Sequence, residues 1–241
     1  MGINKLIILG LGADVQGLFS NAGLEVFMPD LTGNYAQNLS DADMILENLP
    51  GDIALKKDVL YKCGKVAPQR TIFATTSESG ITEIAASTER PQNFIGLNFT
   101  LNPTTKKYLV QITRGLETSE ETVRACRELA EKVGATAVEL QDSAGLILNR
   151  MLAPIINEAS LMYTTEIASA EHIDGLMKSC TNWPMGPFEF ADTIGIDKVV
   201  AILDLLSQQL GPQYLPSPLL RKMVAVGRLG KKTGRGFYTY S

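Results

Sequence analysis

The pattern of apolar residues changes once along this chain, and that change limits the folds it can adopt. Before Asp142, short apolar runs of strand length alternate with amphipathic segments of helical period. This alternation is typical of an α/β fold in which helices cover the faces of a mainly parallel sheet. After Asp142 the strand-like runs stop and only helix-period patterns follow. The sequence therefore predicts an α/β domain over residues 1–142 and an all-α domain over residues 143–241.

The same patterns predict where the individual elements lie. The first domain is expected to hold strands at Lys5–Leu9, Leu24–Met28, Met44–Asn48, Thr71–Ala74, Phe94–Phe99, Tyr108–Thr113 and Thr136–Leu140. A helix over Thr118–Val133 is predicted to begin with a capping box formed by Thr118 and Glu121. The second domain is expected to hold an apolar helical stripe from Leu148 to Met162 that is kinked at Pro154. Further helices are predicted at Ser169–Ser179, Gly186–Thr193, Ile196–Leu210 and Ser217–Ala225, and Gly230–Tyr240 is predicted to fold back on the surface.

Charge and composition argue against several classes of protein. The chain has 22 basic and 26 acidic residues and no basic stripe, so we expect no nucleic-acid partner. No apolar stretch is long enough to cross a bilayer, so we expect no membrane association. Three scattered cysteines are typical of reduced thiols in a cytoplasmic protein. The single histidine, His172, lies in a segment predicted to face solvent, and it leaves little basis for a metal site.

A glycine-rich turn follows the first predicted strand. Gly10 and Gly12 precede a helix and a second strand, and Asp30 lies at the end of that second strand. This is the layout of a Rossmann-type dinucleotide-binding unit, in which the first glycine makes the tight turn and the second admits the pyrophosphate. An acid at the position of Asp30 binds the ribose hydroxyls of NAD and disfavours the 2′-phosphate of NADP. The sequence therefore predicts NAD as the cofactor.

Two departures from this fingerprint predict weak NAD binding. Val15 stands at the third glycine position, where a small residue lets helix and strand pack closely. Asp14 places a negative charge in the first helical turn, which favours the helix but competes with the pyrophosphate.

Motifs in both halves resemble one known family. They are Ile95–Phe99, Ser143–Arg150, Asn157-Glu158-Ala159, Pro184–Glu189, Pro216-Ser217-Pro218 and Gly230–Tyr238. Over most of its length the chain resembles the 3-hydroxyacyl-CoA dehydrogenases. The resemblance implies NAD-linked oxidation of a 3-hydroxyacyl-CoA, in which a histidine takes the hydroxyl proton and a glutamate orients that histidine.

Both members of this catalytic pair are replaced in the chain. The resemblance places the histidine position at Asn98 and the glutamate position at Gln111. An amide has no usable pKa near 7, so general acid–base catalysis should be lost. The two amides can still hydrogen-bond an oxygen, so the sequence predicts a site that binds its ligand but reacts weakly or differently.

Other positions follow from the same resemblance. It implies that Ser77, or alternatively Ser79, contacts the substrate oxygen, that Asn149 lies near the substrate and that Lys56 lies near the cofactor. Only ten residues separate Asp30 from Asp41, where the family normally inserts a helical excursion over the CoA. Recognition of the CoA moiety, if it persists, must then use other residues.

Three functions remain open at this point. The first is an NAD-linked oxidoreductase acting on a 3-hydroxyacyl or 3-oxoacyl thioester, with weak activity. The second is a non-catalytic member that binds an acyl thioester or a partner protein. The third is an enzyme of altered chemistry, in which the neutral Asn98–Gln111 pair polarises a carbonyl. Lys106 or Lys107 could serve such an enzyme as a base, although both are expected on a solvated loop.

A homodimer is also expected. Apolar side chains of the second domain exceed what a small helical domain usually buries alone. They are Leu203, Leu206, Leu210, Leu219, Leu220 and Met223.

Overall fold

The structure is a computed structural model that describes residues 2–10, 13–30, 39–50, 53–78, 80–102 and 105–240. Its contacts divide the chain into two compact units, Met1–Ser143 and Ala144–Ser241. The first unit alternates strands and helices, and the second consists of helices and turns. The predicted fold class, an α/β Rossmann-type domain followed by an all-α domain, is confirmed.

One sheet organises the first unit. Its strands are β1 (Lys5–Gly10), β2 (Glu25–Phe27), β3 (Met44–Asn48), β4 (Ile72–Thr75), β5 (Phe94–Leu101), β6 (Tyr108–Arg114) and β7 (Thr136–Gln141). The order across the sheet is β2-β1-β3-β4-β5-β6-β7, and β5 and β6 form the antiparallel pair in an otherwise parallel sheet. The carboxyl ends of β1, β3, β4 and β5 therefore lie at one edge, which is where ligands bind in sheets of this kind.

Helices cover both faces of this sheet. They are α1 (Ala13–Asn21), α2 (Ile53–Val66), α3 (Ile81–Ala85) and α4 (Glu120–Lys132). Leu6 and Ile8 of β1 pack with residues of α1 and α4, whereas Ile7 and Leu9 pack with residues of α2 and α3. Because both faces of β1 are buried, its sequence is a continuous apolar run and does not alternate with polar residues.

The predicted cap of α4 is wrong by one residue. Ser119 is the N-cap, and its hydroxyl accepts a hydrogen bond from Thr122 N at 3.2 Å. Thr118 instead accepts from Gly115 N and donates to Phe94 O, at 2.9 and 2.7 Å. Thr118 thus ties the turn before the helix to β5, and that tertiary contact cannot be read from the local sequence.

The second unit holds five α-helices among the described residues. They are α5 (Leu148–Thr164), α6 (Ala170–Thr181), α7 (Pro187–Ile194), α8 (Ile196–Leu210) and α9 (Pro218–Ala225). These positions confirm the predicted helices, and Pro154 lies inside α5 as expected. None of the helices in the described ranges is long and apolar enough to cross a bilayer.

The apolar side chains that suggested a homodimer are mostly internal. Leu203, Leu206 and Leu220 are fully buried and Met223 is 3% exposed, all in one core cluster of the helical unit. The remaining two, Leu210 and Leu219, pack against the same cluster. The helical unit buries these side chains itself, so they do not support a homodimer, and the homodimer stays a prediction.

Residues 230–240 fold back onto the helical unit, as predicted. Asp192, which is 1% exposed, accepts hydrogen bonds from Phe237 N, Tyr238 N and the Tyr240 hydroxyl, at 2.9–3.0 Å. A Cβ on Gly236 would lie 1.9 Å from Asp192 Oδ1. Only glycine fits there, because the backbone of this segment approaches the carboxylate so closely.

Candidate active and cofactor sites

Gly10 ends β1 in a conformation that few other residues adopt. Its φ is +101°, and a Cβ at this position would lie 2.5 Å from Asn48 O on the neighbouring strand β3. Helix α1 begins three positions later, at Ala13. This is the tight strand-to-helix turn that the first glycine of a dinucleotide fingerprint provides. Gly12 lies outside the described residues.

Asp30 lies at the same edge of the sheet. It follows β2, which pairs in parallel with β1, and its side chain is exposed. Val15, at the departure in the fingerprint, packs against the core cluster beneath α1. The turn at Gly10, the start of α1 and the exposed Asp30 together fit an NAD molecule with its pyrophosphate near the helix and its ribose near the acid.

A buried ion pair between Lys56 and Glu47 lies beside this edge of the sheet. The sequence predicted a role for Lys56 but not for Glu47. Lys56 Nζ, on α2, lies 2.7 Å from Glu47 Oε1, on β3, and also donates to Leu49 O at 2.7 Å. Glu47 is fully buried and Lys56 is 7% exposed. The sequence feature that could have revealed Glu47 is that it is the single acid in the apolar strand Met44–Asn48, because a buried charge needs a buried partner. Lys56 was predicted to lie near the cofactor, and the structure shows it as the ion-pair partner of Glu47.

Glu47 also holds the loop that follows β4. Its Oε2 accepts a hydrogen bond from the Thr75 hydroxyl at 2.5 Å, and Thr75 Oγ1 in turn accepts from Ser77 N at 3.0 Å. Thr76 donates to Asn48 Oδ1 at 2.7 Å. The half-buried Ser77 is therefore positioned by a chain of hydrogen bonds that begins at a buried carboxylate. Ser79, the alternative to Ser77, lies outside the described residues.

Asn98 and Gln111 face each other across two neighbouring strands. They occupy directly opposite positions in the antiparallel pair β5–β6, so their side chains share one face of the sheet. Asn98 Nδ2 donates to Ser77 O at 3.2 Å. The structure therefore brings together three of the predicted site residues: Ser77, Asn98 and Gln111.

Gln111 carries an unsatisfied polar atom. Gln111 is only 9% exposed, and among the described residues its Oε1 has no hydrogen-bond partner. A buried acceptor without a partner costs about 1–3 kcal/mol.

This amide pair can hold a polar group but cannot move a proton. Each amide offers a carbonyl oxygen as acceptor and an NH₂ group as donor. Neither changes its protonation state near neutral pH, so neither serves as a general base. Among the residues that the structure describes, no cluster of three His, Cys, Asp or Glu side chains could hold a metal ion instead.

The remaining candidates lie elsewhere. Asn149 is the second residue of α5, in the helical unit, and it is half-buried. Its predicted place beside the substrate stays a prediction. His172 has an exposed side chain on α6, and Lys106 and Lys107 are exposed between β5 and β6, as expected.

Both units match models of one protein family. The 3-hydroxyacyl-CoA dehydrogenase NAD binding domain matches residues 30–143, and the 3-hydroxyacyl-CoA dehydrogenase C-terminal domain matches residues 145–240.

Individual relatives agree with these matches. A probable 3-hydroxybutyryl-CoA dehydrogenase of Bacillus subtilis is 47% identical over 201 residues, which cover 83% of this chain and 70% of that protein. A 3-hydroxybutyryl-CoA dehydrogenase of Clostridioides difficile is 42% identical, over 87% of this chain and 75% of that protein. Among solved structures, (S)-3-hydroxybutyryl-CoA dehydrogenase PaaH1 from Ralstonia eutropha superposes with a TM-score of 0.91 at 31% identity, over the whole of both chains. The chain belongs to the 3-hydroxyacyl-CoA dehydrogenase family.

Proposed function

We propose that the chain is an NAD-linked 3-hydroxyacyl-CoA dehydrogenase-like protein that binds a 3-hydroxyacyl or 3-oxoacyl thioester and turns it over weakly. The observation that carries this proposal is the Asn98–Gln111 pair, which lies opposite in register where the resemblance implies a histidine and a glutamate. The pair keeps hydrogen-bonding groups at the place of reaction and lacks a group that can accept the proton.

NAD is the proposed cofactor, held by the turn at Gly10, by Gly12 and by Asp30 at the neighbouring strand end. When bound, NAD supplies the acceptor for the hydride that leaves the alcohol carbon. Lys56 contributes through Glu47, because this ion pair fixes the strand end and the loop beside the cofactor. We expect the affinity for NAD to be low because Val15 and Asp14 depart from the fingerprint.

An acyl thioester is the proposed ligand. The relatives from Bacillus subtilis and Clostridioides difficile are named for 3-hydroxybutyryl-CoA, a 3-hydroxyacyl thioester. In this chain Ser77, Asn98 and Gln111 would surround the oxygen at the third carbon, and the resemblance implies Asn149 as a further substrate contact. The short link between Asp30 and Asp41 leaves the CoA moiety fewer contacts than the family normally gives it.

The chain's own residues would orient the reacting oxygen without removing its proton. Asn98 and Gln111 can hydrogen-bond that oxygen and hold the carbon in place for hydride transfer. The proton must then leave to water, so the reaction loses the roughly 10²–10⁴-fold that a positioned base contributes.

A non-catalytic binding protein is the second candidate. The paired replacement favours it, because a glutamate left opposite Asn98 would be a buried carboxylate without a partner, whereas Gln111 is neutral. Replacing both residues by amides therefore removes the base without leaving an unpaired buried charge at the binding site.

A titration with NADH and acetoacetyl-CoA separates the two candidates. Saturable binding of both, followed by slow oxidation of NADH, supports the dehydrogenase. Binding without turnover supports the second candidate as a binder of acyl thioesters, and no binding of acetoacetyl-CoA contradicts an acyl thioester as the ligand in both. We further propose a cytoplasmic location, which the three free cysteines support.

A further inference from the structure

One buried hydroxyl group connects the Glu47–Lys56 ion pair to the loop that carries Ser77. Thr75 is fully buried at the end of β4, and its hydroxyl donates a hydrogen bond to Glu47 Oε2 at 2.5 Å. The same hydroxyl oxygen accepts a hydrogen bond from Ser77 N at 3.0 Å. A hydroxyl has one proton to donate and lone pairs that accept, so Thr75 uses both functions to hold this loop.

The Lys56 ammonium fixes the direction of these hydrogen bonds. Lys56 Nζ lies 2.7 Å from Oε1 of Glu47, and a carboxylate that is ionised only accepts hydrogen bonds. The Thr75 proton therefore points at Glu47, which leaves the lone pairs of the hydroxyl oxygen for Ser77 N. Turning this hydroxyl elsewhere would take a donor away from a buried carboxylate oxygen, which is unfavourable. The acceptor that faces Ser77 N is thus held in place by a buried charge.

The backbone of Ser77 extends this constraint to Asn98. Thr75 holds Ser77 N, and Ser77 O accepts a hydrogen bond from Asn98 Nδ2 at 3.2 Å. The linked residues therefore run across three neighbouring strands, β3, β4 and β5. The first two, Glu47 and Thr75, are fully buried and cannot contact a ligand, whereas Ser77 and Asn98 are half-buried. Any effect of Thr75 on a ligand must then act through Ser77 and Asn98.

We infer that Thr75 is a positioning residue for the acyl thioester, because its hydroxyl sets the positions of Ser77 and Asn98. This inference rests on the proposed function, since it takes an acyl thioester as the ligand of those two residues. Without the hydroxyl, Ser77 N loses its fixed acceptor and the loop after β4 is free to shift away from Asn98. The ligand then loses part of its polar contacts, although no residue that touches it has been changed.

Thr71 provides a matched control for Thr75. It is also fully buried, it lies directly before the first residue of β4, and its hydroxyl donates to Ala42 O at 2.7 Å. Replacing either threonine by valine removes a buried hydrogen bond and should lower the free energy of unfolding. Of the two, Thr75 is the one that holds Ser77, so its replacement alone should weaken ligand binding.

Calorimetric titration of the full chain with acetoacetyl-CoA, together with urea unfolding of each variant, tests the inference. Thr75→Val should weaken the binding about 5-fold, the factor that one net hydrogen bond contributes. Thr75→Ser should bind as the unmodified chain does, because serine keeps the hydroxyl. Thr71→Val should lower the urea midpoint and leave the affinity unchanged. If Thr75→Val fails to fold, Thr75→Ala carries the test, because it removes the hydroxyl without adding a methyl group beside the carboxylate.

Three results would overturn the role of Thr75 and leave the proposed function standing. The first is unchanged affinity in a folded variant that lacks the hydroxyl. The second is equal weakening in Thr71→Val, which would trace the loss to stability alone. The third is a Thr75→Ser variant that binds as weakly as Thr75→Val. If the unmodified chain does not bind acetoacetyl-CoA, the proposed ligand class itself is wrong, and this inference is wrong with it.

Discussion

Restoring the histidine and glutamate should return dehydrogenase chemistry to this chain. The double change Asn98→His and Gln111→Glu places an imidazole and a carboxylate at directly opposite positions of β5 and β6. Side chains at such positions have their Cβ atoms roughly 4.5–5.5 Å apart, within reach of a direct hydrogen bond. The carboxylate would then orient the imidazole and stabilise its protonated form, as the acid of a catalytic triad does.

The expected magnitude follows from burial at the two positions. A general base contributes roughly 10²–10⁴-fold, so oxidation of 3-hydroxybutyryl-CoA should rise by at least about 10²-fold in the double variant. Position 111 is only 9% exposed, so Gln111→Glu alone buries a carboxylate without a partner. Leaving one buried charge unpaired costs about 3–5 kcal/mol of unfolding free energy, and a histidine at position 98 should recover part of that. Asn98→His alone lacks the carboxylate and should gain little activity.

The assay is a double-mutant cycle of four proteins. NADH absorbance reports initial rates with 3-hydroxybutyryl-CoA at saturating NAD, and urea unfolding reports stability. We expect activity and stability both to be non-additive, because the two residues belong to one network. The two single variants, Asn98→His and Gln111→Glu, are the controls that show what each change does without its partner.

Two results would refute the reasoning. Substantial activity in the unmodified chain would show that some other residue supplies the base. A stable double variant with no gain in activity would show that the short link between Asp30 and Asp41, or another part of the site, has already disabled catalysis.

Three further predictions concern the scaffold. Burial raises the pKa of the two internal cysteines, Cys63 and Cys126, to about 12. At pH 8 a thiol reagent should therefore label the exposed Cys180 quickly and the other two only in denaturant. Fast labelling of more than one thiol in the native chain would contradict this. Gly236→Ala should lower the unfolding free energy by more than about 3 kcal/mol, because its Cβ would displace the buried Asp192 carboxylate from two or more hydrogen bonds. Gly175→Ala is the control: it lies in helix α6 with no atom within 4 Å of the added Cβ, and it should stabilise by about 0.5–1 kcal/mol. Equal urea midpoints for the two variants would be inconsistent with this packing. Burial and the hydrogen bond to Asp192 raise the pKa of Tyr240 above its usual value near 10, so the stability that this tyrosine contributes is complete below pH 10 and is lost as the pH rises further. Tyr240→Phe should therefore flatten the fall of the urea midpoint between pH 9 and 11. An unchanged slope would argue against this role of Tyr240.

The sequence was most informative where one face or both faces of an element are buried. Met44–Asn48 was predicted with the bounds that the structure shows, because its apolar run is short and ends at a turn. The antiparallel pairing of β5 with β6 was not predicted, although the link from Leu101 to Tyr108 is shorter than a parallel crossover requires. That pairing is what sets Asn98 opposite Gln111.

Tertiary contacts account for what the sequence did not give. Glu47 looked like one residue of a strand, and its partnership with Lys56 depends on how α2 packs over β3. The apolar residues of α8 and α9 looked like a dimer surface, yet the helical unit buries them. Periodicity shows which residues avoid water, but it does not show which neighbour covers them.

The attachment of residues 237–240 to Asp192 has a consequence for how the helical unit assembles. Helical proteins usually fold fast because most of their contacts are local in sequence. Asp192 instead binds Phe237 and Tyr238, which lie 45 and 46 positions further along the chain. A nascent chain that has left the ribosome as far as Ala225 holds all the residues of α5–α9 but none of these donors. The unit can therefore collapse early, but it reaches its native packing only when this last segment has emerged and docked on Asp192.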